Sequence, residues 1–335
     1  MAPAPGNRTK IILKPLRVFV IFIPLIKTGN MATSQNILIT GGTGLIGSRL
    51  VEMLGSKGHK IAVLSRQAGP MRHAKVYRWD PGKGEIDSRA IENTDVIIHL
   101  AGAGIGEKRW TKARRREILD SRVKPVYLIA EKMKIAGVIP SVFVSASGVS
   151  LYDQQDFERR NTEKSPAGNS FLAEVVKEWE HAADIFSDQG VRTVKMRTGL
   201  VLDAKGGAFP KIAAPVKMGL GAALGSGKQW MPWIHLEDIC RLYVEAAENP
   251  AFRGPYNAVA PECVTNRVFM KELCRILRRP FWPVNVPAAM LKIIFGEMAA
   301  ILLEGGNCVN ERIRNEIFFH YRYPALAGAL ESLHD

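Results

Sequence analysis

The stretch Asn36-Ile-Leu-Ile-Thr-Gly-Gly-Thr-Gly-Leu-Ile-Gly-Ser-Arg-Leu50 constrains the fold of this chain more than any other. A short apolar run, residues 37–39, meets a glycine-dense turn, residues 40–44, and an apolar, helix-compatible run follows to Leu54. Gly41, Gly44 and Gly47 are spaced by three. The spacing assigns Gly41 a backbone angle closed to other residues. It assigns Gly44 a place where the chain approaches a pyrophosphate with no side chain in the way, and Gly47 a close helix–strand contact. A helix starting here points free N–H groups and its positive dipole end at phosphates. The strand before, the helix after and a second strand at residues 60–64 supply the context that such a motif needs. No Gly-Lys-Ser/Thr follows, which excludes a Walker phosphate loop.

The second strand ends at Ser65-Arg66. An acid there would hold the adenosine ribose hydroxyls, whereas an arginine pairs with a 2′-phosphate. The cofactor expected is therefore NADP rather than NAD. Strands follow at residues 76–80, 95–102, 141–147 and 193–201, alternating with helical stretches at 109–134 and 175–186. Pro125 is expected to start or kink a segment of the first of these helices. This alternation predicts an α/β fold: a Rossmann-type, doubly wound parallel sheet. Leu100, Ala101 and Gly102 end one strand with small residues against which a cofactor can lie. Beyond residue 203 the texture changes to a glycine-rich region, then helices at 236–248 and 268–277 and an apolar helix at 288–303. The expected organisation is a basic leader or disordered extension at 1–35, an NADP-binding Rossmann domain at 36–202, and a smaller C-terminal lobe at 203–335 that shapes a substrate pocket.

Charge and cysteines narrow the function classes. The formal net charge is +14, but the first acidic residue is Glu52, and residues 1–35 carry five of the basic side chains. No basic stripe interleaved with aromatics occurs, so nucleic acid is not an expected partner. The apolar run 18–26 is nine residues long, against the roughly 20 needed to span a bilayer, so no stable membrane insertion is expected. The acid-free, basic leader fits a mitochondrial presequence; without that role the chain is expected in the cytoplasm. Cys240, Cys263, Cys274 and Cys308 form no Cys-x-x-Cys or Cys/His cluster, which points to a reducing compartment and no structural metal.

Thr40-Gly-Gly-Thr-Gly-Leu-Ile-Gly47, His99-Leu-Ala-Gly102, Ser145-Ala-Ser147 and Arg197-Thr-Gly199 together resemble the extended short-chain dehydrogenases/reductases. The segments 225–238, 256–261, Val264-Thr-Asn266 and Tyr321-Arg-Tyr-Pro324 resemble one branch: epimerase-family proteins of the NAD-dependent epimerase/dehydratase type, a group with its own C-terminal segment. The resemblance covers about residues 36–330. It implies NADP binding, with Gly41, Gly44 and Gly47 lining the pyrophosphate and Thr43, Leu45 and Ile46 supplying backbone N–H groups. Ser65 and Arg66 would meet the 2′-phosphate, and Leu100, Ala101 and Gly102 would back a ribose. It also implies a small-molecule substrate and a homodimer as the common assembly.

The resemblance breaks at the chemistry. Superfamily catalysis uses a Tyr with a Lys four residues later, and the Lys lowers the tyrosine's pKa. Here that segment reads Phe171-Leu-Ala-Glu-Val175, and none of the seven tyrosines has a Lys four residues on. Ser147 sits where the superfamily's catalytic Ser/Thr sits. Tyr152, His235 and Glu163 are the candidate replacement acid/base groups. Two readings follow: an NADP-dependent oxidoreductase or epimerase with an atypical site, or an NADP-binding sensor or structural partner without chemistry.

Overall fold

The computed structural model describes residues 1–2, 34–67 and 69–334. Met1–Thr33 and Ser34–Asp335 are separate units, and every helix and strand among the described residues belongs to the second. The expected leader therefore falls almost wholly outside the described residues. Among them no helix is long and apolar enough to cross a membrane.

The sheet is built from β1 (Asn36–Thr40), β2 (Lys60–Ser65), β3 (Ala74–Asp80), β4 (Glu85–Ile86), β5 (Val96–His99), β6 (Val142–Gly148), β7 (Arg192–Thr198) and β8 (Gly254–Ala258). Their spatial order is β8-β7-β6-β5-β1-β2-β3-β4. All neighbours are parallel except β3 and β4. From β1 the chain winds outward through β2 and β3, then returns to place β5 on the other side of β1. That reversal opens a crevice at the C-terminal ends of β1 and β5, where ligands bind in sheets of this kind.

Helices cover both faces. Leu50, Val51 and Leu54 of α1 (Leu45–Ser56) share a core with Ile37, Ile39 and Val63. Val126 and Ile129 of α2 (Lys112–Ala136), with Ala182 and Phe186 of α3 (Phe171–Asp188), share the opposite core with Leu38, Ile97 and Phe143. Successive residues of β1 point to opposite cores, so the strand is apolar throughout rather than alternating. Each fully buried Leu or Ile contributes about 1.5–3 kcal/mol.

α2 runs through Pro125 without ending. The proline offers no N–H to the carbonyl of Ser121. The next carbonyl, that of Arg122, takes His99 Nε2 as a side-chain partner at 3.3 Å. The sheet layer does not end with residue 203 either, because the chain returns to it. Ile239, Leu242 and Tyr243 of α4 (Leu236–Glu248) pack into the α1 core, and β8 adds the edge strand beside β7. The segments outside the sheet layer thus lie on either side of α4 and β8 in the chain, within the one unit Ser34–Asp335. They include α5 (Asn266–Ile276) and α6 (Ala288–Phe295). The apolar stretch 288–303 is not one helix, because Gly296 takes a φ of +59° and ends α6. Asp238 in the first turn of α4 is fully buried and accepts the N–H groups of Arg322 and Tyr323 at 2.7 and 2.8 Å. Two sequence segments 84 residues apart are joined by that one carboxylate.

Candidate active site

The glycine turn has the geometry its spacing predicts. Gly41 has a φ of +68°, and a Cβ there would lie 2.9 Å from the Leu100 carbonyl carbon. A Cβ on Gly47 would lie 2.2 Å from the Gly41 carbonyl oxygen and 2.6 Å from Gly42 Cα, so only glycine allows α1 this close to β1. Gly44 caps α1 without a side-chain bond, and no acidic residue stands in the first turn. A Cβ on Gly44 would meet only the Gly41 carbonyl, at 3.2 Å. The amides at the start of α1, Leu45 and Ile46 among them, precede the first intrahelical acceptor and stay available to an anion. Thr43 and Gly44 are exposed. Gly206 and Gly207 close against the Leu45 side chain.

At the neighbouring strand end, β1 and β5 are in register at Thr40 and His99. Thr40 Oγ1 accepts the N–H groups of Leu100 and Ala101, both at 3.1 Å, and lies 2.8 Å from His99 Nδ1. The Arg122 carbonyl can only accept, so His99 Nε2 carries the proton and Nδ1 receives the threonine's. This chain of bonds pins Leu100 and Ala101 along the crevice. Burial pushes the His99 pKa down to about 4, from an ordinary 6.5. Above pH 6.5 the ring is neutral in both folded and unfolded chains. Between pH 6.5 and 4 only the unfolded ring gains a proton, so stability is lost over that window, by about 3 kcal/mol in all. Urea titrations at pH 7 and pH 4.5 should show this acid sensitivity in the native chain and a smaller one in His99→Gln. Equal losses in both would remove His99 from the account.

Ser65 is buried, and its hydroxyl accepts the Gln67 N–H at 3.2 Å. Arg66 is exposed and bonds to nothing among the described residues. No acid stands at this strand end.

The reactive end differs from the expectation for a replacement proton donor. Ser147 is buried and donates its hydroxyl proton to Glu180 Oε1 at 2.5 Å. Glu180 forms a two-pronged pair with Arg197 at 2.8 and 2.8 Å. Arg197 also donates to the Tyr152 hydroxyl at 2.8 Å and the Glu163 carbonyl at 3.0 Å. Tyr152 has no exposed surface, donates to Asn257 Oδ1 at 2.7 Å, and burial pushes its pKa above the ordinary range. It lies inside a polar network rather than on a pocket wall, because both bonding directions of its hydroxyl are used. The Glu163 carboxylate, whose pKa burial also raises, accepts the Asn257 N–H at 3.0 Å and faces the Arg312 N–H. His235 caps α4: its Nδ1 accepts the Glu237 N–H at 3.1 Å, and its ring centroid is 3.9 Å from that of Tyr323. Burial lowers its pKa, keeping the ring neutral as a cap requires. The structure therefore brings Ser147, Tyr152 and the Glu163 backbone into one network and keeps His235 in another.

Glu180 and Asn257 were not among the expected site residues. A signal for Glu180 was present. It lies four residues after Val176 and three before Ala183, so it is a charge on the buried stripe of α3. At the positions of the missing pair, Phe171 packs edge-on against Trp110 at 5.1 Å, with the Arg115 guanidinium 4.6 Å from its ring, and Val175 is buried. Arg109, in the loop after β5, donates to the Ile294 carbonyl at the end of α6 at 2.6 Å, and Arg115 of α2 pairs with Glu297.

This architecture recurs in known proteins. A family model described as "NAD dependent epimerase/dehydratase family" matches residues 37–259, and a domain of unknown function matches residues 286–333. The mouse epimerase family protein SDR39U1 is 34% identical over 303 residues, covering 89% of this chain and 99% of that one. The crystal structure of human SDR39U1 (isoform 2) with NADPH superposes with a TM-score of 0.79 at 32% identity, over 89% of this chain and 99% of that one. A nucleoside-diphosphate sugar epimerase from Corynebacterium glutamicum gives 0.72 at 29%, over 90% and 58%. With residues 37–259 of its 335 matched, and relatives this similar over nearly their full length, the chain belongs to the NAD-dependent epimerase/dehydratase family.

Proposed function

We propose that this chain is an NADP-dependent oxidoreductase or epimerase whose site works without the Tyr–Lys pair. The observation that carries this reading is the crevice at the ends of β1 and β5. A glycine cradle that any Cβ on Gly47 would fill faces uncapped helix amides, and Arg66 stands at a strand end that has no acid. These residues fit a dinucleotide with a 2′-phosphate. The relative crystallised with NADPH supports the same choice. A nicotinamide cofactor supplies hydride chemistry when bound. Gly44 and the α1 amides hold the pyrophosphate; Ser65 and Arg66 hold the 2′-phosphate; Leu100 to Gly102 line a ribose. Ser147 has its proton committed to Glu180, so toward a substrate its oxygen accepts. It therefore favours a hydroxyl over a carbonyl.

A second reading, an NADP-binding sensor or structural partner without turnover, is favoured by one observation. Ser147, Tyr152 and His235 all spend their polar atoms inside the protein, while Phe171 and Val175 carry no proton. Ser147→Ala, read under conditions where the variant is folded, separates the two, since it lowers turnover in the first reading and leaves NADP-dependent partner association unchanged in the second.

The cofactor half comes first. Calorimetry on the full chain should show NADPH binding at least about tenfold tighter than NADH, roughly 1.4 kcal/mol. The preference should vanish in Arg66→Ala. If neither nucleotide binds, the crevice is only a packing device and both readings fall.

A further inference from the structure

α3 presents Phe171, Val175 and Trp179 at four-residue intervals, on the face where the superfamily's Tyr and Lys would stand. The positive charge absent from this face comes instead from α2. Arg122 places its guanidinium 5.1 Å from the centre of the Trp179 ring. The same guanidinium carbon lies 3.1 Å from where a Cβ on Gly102 would be, so the arginine fills the space beside the loop that ends β5. Its Nη1 donates to the Ile118 carbonyl at 2.9 Å and approaches Ser121 Oγ at 3.5 Å. Among the described residues, its Nε and Nη2 donate to nothing and no carboxylate pairs with it. Arg114, a neighbouring cation on the same helix, does have partners: Glu117 at 2.7 Å and Glu107 at 3.3 Å. Burial, reinforced by the charge of Arg114, pushes the Arg122 pKa down to about 10. A half-buried charge without a counterion is costly, and such charges cluster at binding sites.

We propose that Arg122 is an anion-binding residue of this crevice: its guanidinium, set between Gly102 and Trp179 without a carboxylate partner, receives a phosphate or carboxylate of a ligand lying along the C-terminal end of β5. Two sources share this chemistry, the cofactor's pyrophosphate and an acidic group on the substrate. The fork of donors left open suits either oxyanion. The inference rests on the crevice being a ligand site, as the proposed function holds.

The test compares the full chain with Arg122→Gln and Arg122→Lys, using three probes. These are NADPH, adenosine 2′-monophosphate (the 2′-phosphate without a pyrophosphate), and inorganic phosphate or malonate added to NADPH-saturated protein. If Arg122 meets the pyrophosphate, Arg122→Gln weakens NADPH at least tenfold and leaves the 2′-monophosphate unchanged. If it meets a substrate anion, NADPH affinity is unchanged, but phosphate or malonate raises the Tm of the native complex and not that of Arg122→Gln. Arg122→Lys keeps part of either effect. In both cases the ligand-free Arg122→Gln protein melts no lower than the native chain, because an uncompensated charge has been removed. A lower ligand-free Tm with unchanged binding of every probe would make Arg122 a packing residue and overturn the proposal. If the native chain binds no NADPH, the proposed function fails on its own. Phosphate and malonate titrated into the ligand-free chain then judge Arg122, and equal responses in native chain and variant overturn it.

Discussion

Glu180→Ala should destabilise the fold by about 3–5 kcal/mol, the cost of leaving a buried charge unpaired. Arg197 is only 7% exposed, and Glu180 supplies both of its carboxylate contacts. Burial works against the guanidinium's charge, and Glu180 more than offsets it, holding the Arg197 pKa above its usual range. Without the carboxylate, Tyr152 and the Glu163 carbonyl remain as neutral partners, too weak to replace an anion. The loss would spread, because Arg197 and Tyr152 link β7 to Asn257 of β8 and Glu163 links both to the C-terminal segment. Ser147→Ala removes one hydrogen bond to a charged group and leaves the ion pair whole, so it should cost only about 1.5–3 kcal/mol. Urea unfolding read by circular dichroism measures both. A loss below about 1 kcal/mol for Glu180→Ala would show that water reaches Arg197 and that the network is not dry. Replacing Glu180 and Arg197 together by Met should recover much of the loss, since apolar side chains of similar volume need no partner.

Gly47→Ala should damage both fold and nucleotide binding. Its Cβ would sit 2.2 Å from a backbone oxygen and 2.6 Å from a backbone carbon, and neither can rotate away. Either α1 moves off β1 or the turn opens. Overpacking of this kind costs about 1–3 kcal/mol and occasionally more. A displaced turn also misdirects the α1 amides, so NADPH affinity should fall at least about tenfold, or roughly 1.4 kcal/mol. Gly44→Ala is the informative contrast. Gly44 has an ordinary φ of −79°, and the only close neighbour of an added Cβ is the Gly41 carbonyl at 3.2 Å. The fold should tolerate it, with a Tm near that of the native chain, while NADPH binding weakens because the methyl group enters the phosphate's space. If Gly44→Ala binds NADPH normally, the pyrophosphate does not lie over this turn.

Much of the fold was legible in the chain. Strand, turn and helix at residues 36–54 follow from local rules: a positive φ needs glycine, and an apolar run without alternation marks a strand covered on both faces. Alternating strands and helices imply a parallel, doubly wound sheet, and a strand end with Arg66 and no acid is visible in the residues themselves. The lobe boundary was less legible. Residues 203–235 do leave the sheet layer, but α4 and β8 return to it. What draws them back is a vacant face over α1 and a vacant edge beside β7, neither of which a linear reading displays.

The fate of the candidate catalytic groups was decided by tertiary structure alone. A serine, tyrosine or histidine has the same chemistry wherever it stands; its availability depends on what else reaches it. Ser147 finds Glu180 33 residues away, and Tyr152 finds Asn257 105 residues away. His235 is spent on its own helix, where a cap was worth more than a free ring. Arg122 shows the opposite case: nothing near it in the chain distinguishes it from the other arginines of α2, and it stands out only once folding leaves it without a carboxylate among the described residues. Backbone geometry and burial period are local properties, so the sequence determined the glycine turn and the strand ends beside it. Hydrogen-bond partners and counterions arrive from distant segments, so only the folded chain decides which side chains remain free to act.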